Sequence, residues 1–474
     1  MSDCFRAKPI FISILSVSLL SASGCTHIDA QPHLREAATL SSRVTGDADP
    51  QQAWSLPVDG ESPAWDGVAP LTAEAAVAVA LQSDPQLRAE LALICAATAD
   101  MVHASLPPNP TISFGVGSAI DNMTGAPAMV QGMQVLSWLW TNPWRVQAAE
   151  ARLQKAIFSA AERCVRHLND TRELVATVAA GQQTLMLNRQ HAQLAHRTAE
   201  LVREQVNVGE LPLLDLGRAR LDAEQAQAAA IASDYALLEA KLELLHAMGR
   251  AETGVQWVIT SPVIPDWPVP TREIDLLDLA TTERLDVAAA AQDVIAAMSA
   301  AGLARTEQIP ELSVMLTWQR NSSDRRALVP GAAVTLPILD DGTAAMMTAS
   351  AQLEAARMTL LATQENALLE IRNLYSEMLN ARAQINSLQE VQLEAAVLNQ
   401  ERTLAAWQAG EIDLTTLLDT QRRRIAVEQA LVTQELALAR AMCALRTAVG
   451  GSFEPAANTI NSAKLKSSDR ETDS

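Results

Sequence analysis

Aromatic side chains are scarce, at 3% of 474 residues, with only two tyrosines and five phenylalanines. The 49% hydrophobic content is therefore largely alanine and leucine, which suits long, closely packed helices better than a bulky globular core. Positive charge is short as well: 36 Lys and Arg face 55 Asp and Glu, a formal charge of −19, so nucleic acid is excluded as an expected partner. No apolar run approaches the roughly 18 residues of a membrane helix. The longest, residues 10–20, would cover about 16 Å as a helix, half of a ~30 Å bilayer core. Enzymatic signatures are missing too. There is no Walker loop, dinucleotide glycine fingerprint, Gly-x-Ser-x-Gly or His-Glu-x-x-His, so no enzyme is expected. The seven histidines are scattered, and His191 and His196 miss the i,i+4 spacing of a helical metal pair. Cys95, Cys164 and Cys443 are too far apart for a metal cluster and read as small packing residues. The pair Met346-Met347 reads as helix packing and Met123, Met129 and Met133 as barrel or loop filler, leaving no metal site expected.

The short N-terminal run has a use. Arg6 and Lys8 precede it, and Ser21-Ala22-Ser23-Gly24-Cys25 follows. A basic start, a short apolar core and small residues make a signal peptide, residues 1–24. Cysteine after Ala-Ser-Gly resembles a bacterial lipobox, with Cys25 cleaved and acylated; an ordinary signal peptide with an incidental cysteine is the alternative. The covalent lipid on Cys25 is the only cofactor-like group expected. Residues 25–70, punctuated by Pro32, Pro50, Pro57, Pro63 and Pro70, read as an extended lead.

From there a helical pattern starts at Leu71-Thr72, breaks at Asp84-Pro85 and stops at Pro107-Pro108-Asn109-Pro110. Alternating residues predict strands over 111–117 and 129–137. A helix of about 63 residues follows from Trp144, turns at 207–215, and returns to Met248-Gly249. Residues 251–273 form a proline-rich linker. Then the series recurs: helix from Asp275 to Thr306, strands over 311–319 and 328–337, a second very long helix, a turn at 409–419, and a return to Val449-Gly450. Pro110 meets Pro310 at an offset of 200, and Gly209-Glu210 meets Gly410-Glu411 at 201. Residues 71–250 and 274–452 are thus two copies of one unit: helix, strand, strand, long helix, turn, helix. Residues 453–474 read as a disordered tail.

Four strands cannot close a barrel, and an open sheet edge is not tolerated in lipid. Closure demands several copies of the chain, and three give twelve strands. The expected fold is therefore mainly α with a small membrane β part, a trimeric β-barrel continuing into a helical barrel.

Several stretches carry a resemblance. Leu71-Thr72-Ala73-Glu74-Ala75-Ala76 with Asp84-Pro85-Gln86-Leu87, Asn207-Val208-Gly209, and Gly410-Glu411-Ile412 with Leu417-Leu418-Asp419 resemble the TolC-type outer-membrane efflux channel family over residues 70–452. That resemblance implies a homotrimer in the outer membrane of a Gram-negative bacterium, anchored by outer-membrane lipid and extending into the periplasm. It implies an exit duct for drugs, metal ions or other small solutes, docked to a periplasmic adaptor and an inner-membrane pump. The turns at Gly209 and Gly410 become the periplasmic gate. Asp215 and Asp419 match gate aspartates, with solvent-facing helix N-terminal carboxylates that stabilise the dipole as the alternative; Thr416 stands where another is common, and Asp413 adds a carboxylate. Ile412 and Trp407 replace polar-link residues, so packing takes a larger share in holding this gate. Arg422, Arg423 and Arg424 are assigned to adaptor or intersubunit contact, with a solvated face as the alternative. The rival reading is a periplasmic coiled-coil adaptor or structural lipoprotein, which normally has one helical hairpin where this chain has two.

Overall fold

A computed structural model describes residues 28–45, 65–117, 126–268, 272–306, 308–336, 338–451 and 453. Cys25, Met123 and the expected disordered tail beyond residue 453 lie outside these residues.

The first repeat begins at α2, Ala73–Ser83, where Thr72 accepts the Ala75 N–H at 3.2 Å as N-cap. Asp84 ends this helix and caps α3, Pro85–Ser105, accepting from the N–H groups of Gln86 and Leu87. Proline at the first helical position costs nothing, because its missing N–H would have no partner there. Strands β1, Thr111–Val116, and β2, Ala128–Val135, follow. Helix α4, Trp138–Asn207, is 70 residues long, and α5, Leu213–Ala247, returns beside it. The second repeat has α6, Glu273–Glu283, and α7, Leu285–Thr306, then β3, Glu311–Arg320, and β4, Arg326–Thr335. Helix α8, Thr343–Ser387, passes through a π-helical turn, Leu388–Leu393, into α9, Glu394–Gln408, and α10, Leu414–Ala448, returns.

Three sequence expectations need correcting. Residues 25–70 are not extended throughout, because Gln31–Thr45 is a helix, α1. Leu34, Ala37 and Ala38 bury one face of it against α3 and α4, and Pro32 sits in its first turn, where proline is tolerated. The helix expected from Asp275 to Thr306 is broken at Arg284, the counterpart of Asp84. The break is silent in sequence because Leu285 stands where Pro85 stands. Helix α4 starts six residues before Trp144 and carries Pro143 inside; so close to the helix start, the proline costs one backbone hydrogen bond.

The four strands form one antiparallel sheet in chain order. β1 and β4 are its edges. Its register sets Phe114, Val130, Trp318 and Leu328 in one row and Ile112, Gly132, Leu316 and Pro330 in another on the same face. The opposite face carries Ser113, Gln131 and Thr317 in one row and Met133 beside Met315 in another.

Along α4 the packing falls into three successive clusters. Leu153 to Leu168 pack against α1, α2 and α3. Val175 to Leu185 meet α5 and an equatorial knot where Trp65 and Trp257 stack edge to face at 5.7 Å. Leu71 pairs with Ile259 there in an isolated parallel bridge, so the proline-rich linker is a packed part of the fold. Ala192 to Val202 join the tips of both hairpins. By length and hydropathy alone Glu273–Thr306 could cross a membrane. Its second part, α7, instead lies along α4, where Ser299 donates to Gln147 at 3.0 Å and Lys155 pairs with Asp293 at 2.7 Å, while α6 packs against α8 and α10.

Candidate functional site: the paired hairpin tips

Both tips turn by the same device. Gly209 has φ +82° and Gly410 φ +77°, a left-handed conformation that glycine adopts without strain. The Gly209 N–H donates to the Val206 carbonyl and the Glu210 N–H to that of Gln205. The Gly410 N–H donates to Trp407 and the Glu411 N–H to Ala406, so each helix ends in a Schellman motif.

The following helices start differently. Asp413 caps α10, accepting the Thr416 N–H at 3.1 Å and its hydroxyl as well. These bonds to Thr416 favour the carboxylate and hold the Asp413 pKa below its ordinary value. Pro212 occupies the matching position before α5 and gives no side-chain cap. Asp413 and Thr416, both assigned to the gate from sequence, are therefore partners in one cap.

The other assigned residues are spread around the tips. Asp419 is exposed and takes Arg423 at 2.9 Å one helical turn on. Asp215 is largely covered, accepts from Arg218 at 3.2 Å, and the same guanidinium reaches the Thr415 hydroxyl of the other hairpin at 3.4 Å. The arginine run divides among three partners within the chain. Arg422 bonds Asp222 at 2.7 Å. Arg423 bonds Asp419, and Arg424 bonds both Glu428 at 3.0 Å and Gln400 at 2.8 Å. Beneath these pairs Trp407, Leu417 and Leu418 share one apolar cluster with Val202, Leu216 and Ala219 of the first hairpin. Ile412 packs against its edge.

Sequence reasoning missed Asp222, which is 2% exposed and lies on the buried face of α5 between Ala219 and Ala226. A charged residue interrupting an apolar stripe at helical spacing was the available signal. Above it, Asn188 accepts from Gln429 at 2.7 Å and bonds Ser233, joining α4, α5 and α10. His191 lies in this neighbourhood, and burial pushes its pKa below the ordinary value. The Cys164 and Cys443 thiols are buried and pushed up to about 12, which leaves them unreactive.

The fold defines a class of mainly helical protein in which a duplicated pair of long hairpins carries a small sheet with one apolar face. The sequence profile of the outer membrane efflux protein family matches residues 76–250 and 276–451, one match on each repeat. The chain belongs to the outer membrane efflux protein family. It is an outer-membrane efflux channel, and this family consists of transport proteins. The cobalt-zinc-cadmium resistance protein CzcC of Cupriavidus metallidurans is 23% identical over 357 residues, covering 74% of this chain and 84% of CzcC. The fold matches the Campylobacter jejuni outer membrane channel CmeC at TM-score 0.71 and 16% identity, over 83% of this chain and 89% of CmeC. It matches the outer membrane protein VceC of Vibrio cholerae at TM-score 0.68 and 19% identity, over 81% and 97%. The coiled-coil adaptor reading draws no support from these matches.

Proposed function

We propose that three copies of this chain close a twelve-stranded barrel in the outer membrane and a helical tube below it, forming the exit duct of a tripartite efflux pump. The observation that carries this reading is the sheet. Its four strands put apolar side chains in register on one face, from Phe114 to Leu328, and a mixed set on the other, where Ser113, Gln131 and Thr317 share a row with Val329 and Met133 pairs with Met315; its edges are β1 and β4. A lipid-facing sheet has to pair both edges. Joining β4 of one copy to β1 of the next repeats the same contact around a ring. The helices add two unlike apolar faces: α5 exposes Leu214, Leu221, Tyr235 and Leu242, spaced by multiples of seven, while α8 and the π turn after it expose Met347, Met358, Leu369 and Val391. Two different faces fit a head-to-tail ring better than a two-fold dimer.

Acylation at Cys25 would tie the chain to the membrane. Five residues lie between it and Gln31 at the start of α1, a tether of at most about 20 Å. Exposed Val208, Leu213 and Leu214 at the first tip support docking of a periplasmic adaptor, which in turn engages an inner-membrane pump. Asp419, with Asp215, Asp413 and Thr416 around it, is the proposed gate, and three Asp419 carboxylates about one axis favour cations. Of the arginines, Arg423 is the most exposed and the best placed for intersubunit contact. The likeness to CzcC supports metal cations among the solutes.

Heat-resistant trimers in detergent, with pores in planar bilayers, are the expected result. Monomers without conductance would refute the duct. Asp419→Ala is expected to weaken cation selectivity and divalent block; if both stay unchanged, the gate lies elsewhere.

A further inference from the structure

The two repeats keep two different offsets. From the sheet into the tube the offset is 200. The strands end at Val135 and Thr335, and Ala149 and Ala349, Thr171 and Ile371, Val178 and Met378, Leu185 and Ile385, and Asn188 and Leu388 are buried in pairs. At the tips it is 201. Ala199 and Gln400, and Val202 and Thr403, are buried in pairs; Gly209 and Gly410 share the left-handed turn; and α5 and α10 are 35 residues each at that offset. One residue has therefore been gained in the second arm between Leu388 and Gln400. Over that interval α4 is α-helical throughout, while the second arm makes its π turn, Leu388–Leu393.

A π turn is how a helix takes in one extra residue locally. Without it, everything beyond would rotate by about 100° and slide by about 1.5 Å. Packing changes at the same place. No side chain from 389 to 399 is buried within the chain, whereas the matching stretch of α4 buries Ala192, Ala195 and Thr198.

We infer that the π turn at Leu388–Leu393 is the joint of the second hairpin. Its inserted residue sets the rotational register that seats Trp407 in the shared tip cluster. Its thin packing within the chain makes it the place where the arm bends between a fixed equator, held by Ile371, Met378 and Ile385, and a movable tip. The inference rests on the channel reading only for what the tip movement controls.

Amide hydrogen exchange on the purified full-length protein tests the joint without reference to transport. Peptides covering 388–399 are expected to exchange at least tenfold faster than those covering 188–198. Equal protection would overturn the inference. Deleting Val391 removes the extra residue and is expected to raise resting bilayer conductance several-fold and unseat Trp407, seen as a red-shifted, more quenchable tryptophan emission. Adding an alanine after Leu398 in the same variant restores the length and is expected to restore both readouts. A Val391 deletion with unchanged conductance and emission would also overturn it. Absence of conductance in the unaltered protein would sink the channel reading alone, with the exchange comparison still judging the joint.

Discussion

Arg422 on α10 sets its Nε and an Nη both 2.7 Å from the same carboxylate oxygen of Asp222 on α5. The Asp222 side chain is 2% exposed while that of Arg422 is about half exposed, at 52%, so one hairpin carries the buried charge and the other supplies its counter-ion from a partly solvated side chain. Breaking a pair of this kind costs more than forming it gains, because the buried partner is left uncompensated. Arg422→Ala is expected to destabilise the protein by about 2–3 kcal/mol, less than for a fully buried pair because solvent screens the guanidinium. Asp222→Ala removes the buried charge itself and is expected to cost less. A double-mutant cycle on thermal unfolding should give a coupling of about 1–3 kcal/mol. Additivity within about 0.3 kcal/mol would show that the pair does not hold the hairpins together.

His191 gives the same region a pH dependence. Burial is the main cause lowering its pKa; Asp222 on α5 and Glu428 on α10 oppose the shift, and Arg422 on α10 reinforces it. The folded state thus binds the proton less well than the unfolded chain, whose value is near 6.5. Stability from this group is complete above pH 6.5 and is lost as pH falls through the lowered folded-state value. Melting curves between pH 5 and 8 are expected to show the unaltered protein losing stability on the acid side. His191→Gln should flatten that limb. An identical slope in both proteins would assign the acid limb to other groups.

The four turn glycines are not equivalent. Gly410 has a positive φ and open space where a Cβ would sit. Gly410→Ala should therefore cost only left-handed strain, about 1–2 kcal/mol. Gly450 has φ +85°, and its Cβ would stand 2.6 Å from the Glu283 carbonyl oxygen. Gly249 repeats the relationship, 2.8 Å from the Ser83 carbonyl. Backbone cannot yield as a flexible side chain can, so Gly450→Ala adds an overpacking cost of about 1–3 kcal/mol to the strain. Urea unfolding midpoints would rank Gly450→Ala and Gly249→Ala below Gly410→Ala. The reverse order would show that the short first helix of each repeat does not press on the last.

The repeat was legible because breakers and turns are written in residue types: Pro110 and Pro310, Gly209 and Gly410. Features written in tertiary packing were not. Arg284 breaks a helix with no proline after it, and it is held there by bonds to Asp286, Glu370 and the Ala448 carbonyl. Helix α1 was hidden by Pro32 in its first turn and by Pro50 beyond its end. At the tips, the sequence located Asp413, Thr416, Asp419 and the arginine run, but not which carboxylate each arginine takes. That depends on how the two hairpins lie side by side. The change of offset from 200 to 201 was visible in the sequence, and only the helix geometry placed the extra residue at the π turn.

The sheet makes a prediction that separates its two faces. Trp318 and Leu316 alternate along β3 with Thr317 and Met315, so a charge introduced at neighbouring positions meets different surroundings. Trp318→Lys puts an ammonium in the apolar row with Phe114, Val130 and Leu328. On a lipid-facing surface this costs about 2–4 kcal/mol near the bilayer midplane. Thr317→Lys puts the same charge in the row with Gln131 and Ser113, where water can solvate it. The first variant is expected to lose heat-resistant oligomers from outer-membrane fractions. The second should keep them and shift the reversal potential in a salt gradient toward anions, because a ring of positive charge in a lumen favours them. If Thr317→Lys abolished assembly and Trp318→Lys left it intact, the faces would be inverted and the strand order would have to close the barrel the other way out.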